Sequence, residues 1–190
     1  DGVWGHNNLS FVNGWHSGKA PRTNLKVLGS YSGNIAYCIE PGVPLKDGQS
    51  MTKYDENYFN NITSNGVISG DEIRMFIGRI MQYGYRGGVS LSWKSQNADA
   101  ANSIAHAYAT QLLIWETVIG ERDANFNHKS TSGYSNVKDV VSTSHPLRSK
   151  IFSYYDSMVQ SVQNHSLVPS FCNKSSGSAK TIELEWNGSK

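Results

Sequence analysis

Apolar and polar residues change their spacing several times along this chain. Up to about residue 50 the pattern is that of β-structure. Leu25, Val27 and the Tyr31 region make one strand candidate and Ile35 to Glu40 the next, with Ser32-Gly33-Asn34 as a tight turn between them. In the second strand Ile35, Tyr37 and Ile39 share one face, and Ala36, Cys38 and Glu40 share the other, until Pro41-Gly42 stops it. A thiol beside a carboxylate makes a poor apolar face, so that face is either a sheet margin or a site.

After Tyr54 the period lengthens. Ser69 followed by Glu72 is a capping-box signature. Ile73, Phe76, Ile77 and Ile80 continue it at helical spacing, with Gly84 as the stop. The strongest helical pattern runs from Ala98 to Ile119 and closes at Gly120, with a stripe of Ile104, Ala107, Tyr108, Gln111, Ile114, Trp115 and Val118. Gln111 interrupts that stripe. A buried amide without partners costs on the order of 1–3 kcal/mol, so Gln111 is either hydrogen-bonded in the core or present for chemistry. Residues 121 to 143 read as loop. A third helix is expected from Ser144 to Asn164, with Pro146 near its start and Leu147, Ile151, Tyr154, Met158 and Val162 inward. Ser170 to Ser178 reads as loop, and Lys180 to Trp186 alternates as a terminal strand.

Strands, helices and a final strand predict an α+β fold. The expected architecture is a β-sandwich or small β-barrel subdomain with an inserted α-helical subdomain, closed by the C-terminal strand. One domain of 190 residues would then comprise a β part at 1–54, a mainly helical insertion at 55–168 and a return to the β part at 169–190. A chain of this size buries about 70% of its unfolded surface and needs no staples to fold.

Charge is sparse and balanced at +2, which calls for neither nucleic acid nor an anionic membrane. No apolar run is long enough to insert in a bilayer, and no signal peptide is present. Abundant Asn, Ser and Gly with ten tyrosines and five tryptophans suit an extracellular surface protein. The sequons at Asn61, Asn164, Asn173 and Asn187 add little, since such short patterns arise by chance in Asn/Ser-rich chains. The six histidines show no HExxH spacing and there is no Cys-x-x-Cys, so no metal and no cofactor are expected. Two readings of Cys38 stay open on these grounds. It is half of a disulfide with Cys172, within a non-covalent binding module, or the nucleophile of a hydrolase or transferase with His106 or His128 as base.

A third reading comes from resemblance. Tyr37-Cys38-Ile39-Glu40-Pro41-Gly42, followed on a helix by Thr110-Gln111 and Trp115, resembles the thioester domains of Gram-positive surface adhesins. The short Cys-Gly-Glu-Gln motif of complement-type thioester proteins is absent. The resemblance spans nearly the whole chain and implies an internal thioester between Cys38 and Gln111, with Glu40, Tyr37, Thr110 and Trp115 as supporting residues. Apolar neighbours such as Tyr37, Ile39, Tyr108 and Trp115 would shield it from water. It further implies single-use covalent attachment to a host surface or matrix protein, fibrinogen-like in some relatives, through a lysine amine. The location implied is the bacterial cell surface, with cell-wall anchoring through regions outside this chain. Cys172 matches no motif of that family.

Overall fold

The computed structural model describes residues 3–5, 26–29, 35–39, 61–88, 90, 93, 98–130, 136–141 and 143–165. Three short strands, β1 (Val3–Gly5), β2 (Lys26–Gly29) and β3 (Ile35–Ala36), form an antiparallel sheet in the order β1-β2-β3. Val3 pairs with Leu28, and Leu28 pairs in turn with Ala36. The expected second strand is therefore shorter than Ile35–Glu40: ladder pairing ends at Ala36, and residues 37–39 leave the sheet to reach the helices. Ile35, Tyr37 and Ile39 pack together against the helical core, as their alternation predicts. The expected turn at residues 32–34, Glu40, Cys172 and the expected strand at 180–186 lie outside the described residues. So do the part boundaries near 54 and 168, and with them the closure of a sandwich or barrel.

Helix α1 spans Gly70–Tyr83. The Ser69 hydroxyl accepts from the Glu72 backbone N–H at 3.2 Å, and a Glu72 carboxylate oxygen accepts from the Ser69 N–H at 2.7 Å, so the capping box closes at both ends. Ile73, Phe76, Ile77 and Ile80 are its buried face. Helix α2 spans Ala98–Ile119, the bounds that the sequence predicts. Its burial is broader than a stripe. Ala105, Ala109, Thr110, Leu112, Leu113, Glu116 and Thr117 are buried as well, whereas Trp115 and Val118 are only half-buried. The three-to-four spacing picks out one face of what is the central helix, packed by both α1 and α3.

Two loops differ from expectation. Helix α3 spans Arg148–Gln163 rather than starting at Ser144. Pro146 disfavours helical backbone at His145, so the chain first makes a turn in which His145 Nδ1 accepts from the Leu147 N–H at 3.1 Å. On α3, Tyr155 is buried together with Ile151, Met158 and Val162, while Tyr154 lies at the margin. The stretch 121–143 holds a bridge between Arg122 and His128 and a 3-10 helix at Val137–Val140. Gly120, at φ +88, lets the Glu121 N–H turn back to the Glu116 carbonyl at 2.8 Å, which closes the end of α2. No helix among the described residues is long and apolar enough to cross a membrane.

Candidate functional site

Gln111 sits midway along α2 with only 3% of its surface exposed. Its side-chain amide meets the main chain of Cys38, which follows β3. Gln111 Oε1 accepts from the Cys38 backbone N–H at 2.8 Å, and Gln111 Nε2 donates to the Cys38 carbonyl at 2.7 Å. The amide orientation is thereby fixed, because only an oxygen can face the N–H and only the NH2 can face the carbonyl. Both ends of the buried amide are satisfied by one residue, and that residue carries the thiol. Cys38 itself is half-buried.

The arrangement has a definite chemical capacity. If a sulfur nucleophile adds to the Gln111 side-chain carbon, negative charge develops on Oε1. The Cys38 N–H already points at that oxygen, and a preorganised donor of this kind stabilises an oxyanion in a water-poor site. The Cys38 carbonyl holds the nitrogen that would leave.

The other residues singled out in the sequence divide. Tyr37 is half-buried, and its hydroxyl donates to the Tyr85 carbonyl at 2.5 Å. Burial holds the Tyr37 phenol well above its usual range, partly offset by the neighbouring Thr110 hydroxyl, so it stays protonated and a donor. Thr110 is fully buried; its hydroxyl donates to the His106 carbonyl at 2.8 Å and accepts from the Tyr85 N–H at 3.0 Å. Trp115 packs half-buried against the core. His106 lies one turn before Thr110, its Nε2 3.1 Å from the Tyr83 carbonyl and its ring stacked on Tyr154 at 4.5 Å. Since a carbonyl only accepts, Nε2 carries the proton there, and burial lowers the His106 pKa from its ordinary value.

His128 belongs to a second cluster, at the C-terminal end of α2. Glu116, Glu121 and His128 bring ligand-type atoms within 4.8 Å of one another. No metal-ligand spacing announces this group, and Glu116 is already committed. Its Oε2 accepts from Arg122 Nε at 2.8 Å and Nη2 at 2.7 Å, and its carboxylate also accepts from the Tyr155 hydroxyl. Arg122 Nη1 donates to the Phe126 carbonyl, which a left-handed backbone at Phe126 turns toward it. A guanidinium in that position opposes a divalent cation, so the cluster reads as a buried ion network.

Glu121 leaves that network with one negative charge too many. Burial pushes its carboxyl up to about 7, against the opposing hydrogen bond from the Val137 N–H and with Glu116 and Asp139 adding to the rise. The folded state thus holds this proton more tightly than the unfolded state. Stability from this group falls as pH rises from about 4.5 to about 7. His128, 3.7 Å away and shifted down by burial, contributes the opposite slope. Glu121→Gln keeps an acceptor for Val137 but cannot ionise. The expected result is a melting temperature that falls less across this window than the wild type's. Equal slopes in thermal scans of the two proteins at both ends of the window would rule the assignment out.

Comparison with known families bears on the first cluster. No curated protein and no solved structure matches the chain. The model of the thioester domain family matches residues 35–164, a span that opens at β3, contains both Cys38 and Gln111, and ends just past α3. With more than half of its 190 residues inside that match, the chain belongs to the thioester domain family.

Proposed function

We propose that Cys38 and Gln111 are joined as an internal thioester, and that the domain is the covalent-attachment part of a bacterial surface adhesin. The observation that carries this reading is the double hydrogen bond between the buried Gln111 amide and the backbone of Cys38. It gives a physical reason for a glutamine on a buried helix face, and it aligns the acyl carbon with the nucleophile's own residue.

The chemistry balances without an outside reagent. Cys38 Sγ bonds to the Gln111 side-chain carbon, the carbon–nitrogen bond breaks, and the thiol proton leaves with the nitrogen as ammonia. In the second step a lysine amine of a host surface or matrix protein attacks the same carbon. The carbon–sulfur bond breaks, Cys38 recovers its proton, and an amide remains between Gln111 and the lysine. The bond is consumed, so the domain acts once rather than turning over. Fibrinogen-like proteins are a target class that the family resemblance suggests. Placement on the cell wall follows from the adhesin reading, as does anchoring through regions outside this chain.

Methylamine tests this directly. It is expected to add once, at Gln111, and to release one titratable thiol at Cys38. Raising pH mildly should speed the reaction, because more of the amine is neutral. An adduct at any other residue, or one that forms without releasing a thiol, would refute the thioester. Repeated release of product per protein molecule would instead favour a Cys38-dependent hydrolase or transferase.

A further inference from the structure

The junction after α1 makes two contacts that the thioester chemistry does not itself require. Tyr83 ends α1, and Gly84 then passes close against α2. A Cβ on Gly84 would lie 2.6 Å from Thr110 Cγ2 and 2.8 Å from Thr110 Oγ1, so only glycine allows this approach. Its backbone is extended at φ −77, so steric room rather than left-handed geometry requires the glycine. Tyr85 follows and uses its main chain in two directions. Its N–H donates to Thr110 Oγ1 at 3.0 Å, and its carbonyl accepts from the Tyr37 hydroxyl at 2.5 Å. Its ring is held between Trp93, at 5.4 Å, and His106, at 5.9 Å.

Thr110 is the residue before Gln111, and Tyr37 is the residue before Cys38. One residue of α1's exit therefore ties together the two positions that precede the reacting pair. We propose that Gly84 and Tyr85 are positioning residues for the Cys38–Gln111 thioester, bridging Tyr37 to Thr110 and so fixing where the Cys38 segment sits on α2. The proposal rests on the thioester reading above.

The amide contacts hold this seating only in part through the reaction. One of them is donated by Gln111 Nε2, the atom that leaves as ammonia. The Tyr37–Tyr85–Thr110 bridge contains no reacting atom, so it survives closure. It then keeps Cys38 seated while the acyl bond waits for its target.

The test uses the whole domain, never denatured, in five forms: wild type, Tyr37→Phe, Thr110→Val, Thr110→Ser and the Tyr37→Phe/Thr110→Val double variant. Intact mass gives the closed fraction, methylamine gives the opening rate, and thermal unfolding gives stability. Losing one buried hydrogen bond of the bridge should lower the closed-to-open ratio about tenfold in Tyr37→Phe and in Thr110→Val. Thr110→Ser should restore it, and the double variant should be no worse than the weaker single, because both changes break one bridge. If Thr110→Val fails to fold, Tyr37→Phe decides. Full closure with wild-type opening rates in Tyr37→Phe overturns the proposal. So does a closed fraction that tracks melting temperature alone and is not rescued by Thr110→Ser. A wild type that shows neither mass deficit nor methylamine uptake refutes the thioester itself, and the bridge's proposed role with it. Closure in the wild type separates the two failures.

Discussion

Freshly purified protein is expected to weigh one ammonia less than its sequence, and Cys38→Ala and Gln111→Ala are each expected to restore the full mass. The effect is all-or-none, because one bond needs both partners. Cys172→Ala should keep the deficit, since the Gln111 amide is bonded to the main chain of Cys38. A disulfide would instead remove two hydrogens, which an intact-mass spectrum distinguishes. Gln111→Ala removes two hydrogen bonds to the Cys38 main chain and leaves a small gap in α2. Against the open form of the wild type, the expected loss of stability is about 1–3 kcal/mol with helicity retained. Full sequence mass in the wild type would end the thioester reading. Collapse of helicity in Gln111→Ala would mean that the glutamine is there for the fold.

The largest loss of stability is expected at Arg122. Its guanidinium is 2% exposed and the Glu116 carboxylate facing it is 0% exposed. Arg122→Ala strands that carboxylate, frees the Phe126 carbonyl and empties the space over the Phe126 and Tyr155 rings. Removing one partner of a buried ion pair costs about 3–5 kcal/mol. For a domain of this size that lowers the melting temperature by roughly 10 °C. Replacing the pair together, with Glu116→Leu and Arg122→Met, should recover part of the loss, because the desolvation of both charges disappears as well. Chemical denaturation read by circular dichroism checks both. A change below about 1 kcal/mol in Arg122→Ala would show that solvent reaches the pair.

Much of this could be read from residues alone, and the limits follow from physics. Helix α1 was legible because Ser69, Glu72 and the Ile73-Phe76-Ile77-Ile80 face encode its start and its buried side in adjacent positions. Helix α2 was legible at both ends, and Gln111 stood out because an amide does not belong on an apolar face. What periodicity missed is what small residues conceal. Ala105, Ala109 and Thr110 let neighbouring elements come close from directions that a stripe of large side chains does not mark. The spacing predicts Tyr154 rather than Tyr155 because both fit the inner face of α3 within one position, and only the Glu116–Arg122 pair selects between them. The role of Tyr85 was illegible in principle, since it acts through its peptide group, which every residue has. Gly84 ends α1, as its position predicts, but for a reason that concerns Thr110, 26 positions along.

Cys38 and Gln111 lie 73 positions apart in sequence. A bond between them turns that stretch into a covalent ring that contains α1 and the first half of α2. Closing a ring of about 70 residues removes chain entropy from the unfolded state worth ~4 kcal/mol, on the argument used for disulfides. On the proposed thioester, an unspent domain would be stapled and a spent one would not. Capture of a target amine would move the covalent link from inside the fold to outside it. The partner would then be tethered to the middle of α2, in a domain expected to melt earlier and to yield to a pulling force more easily than before it reacted.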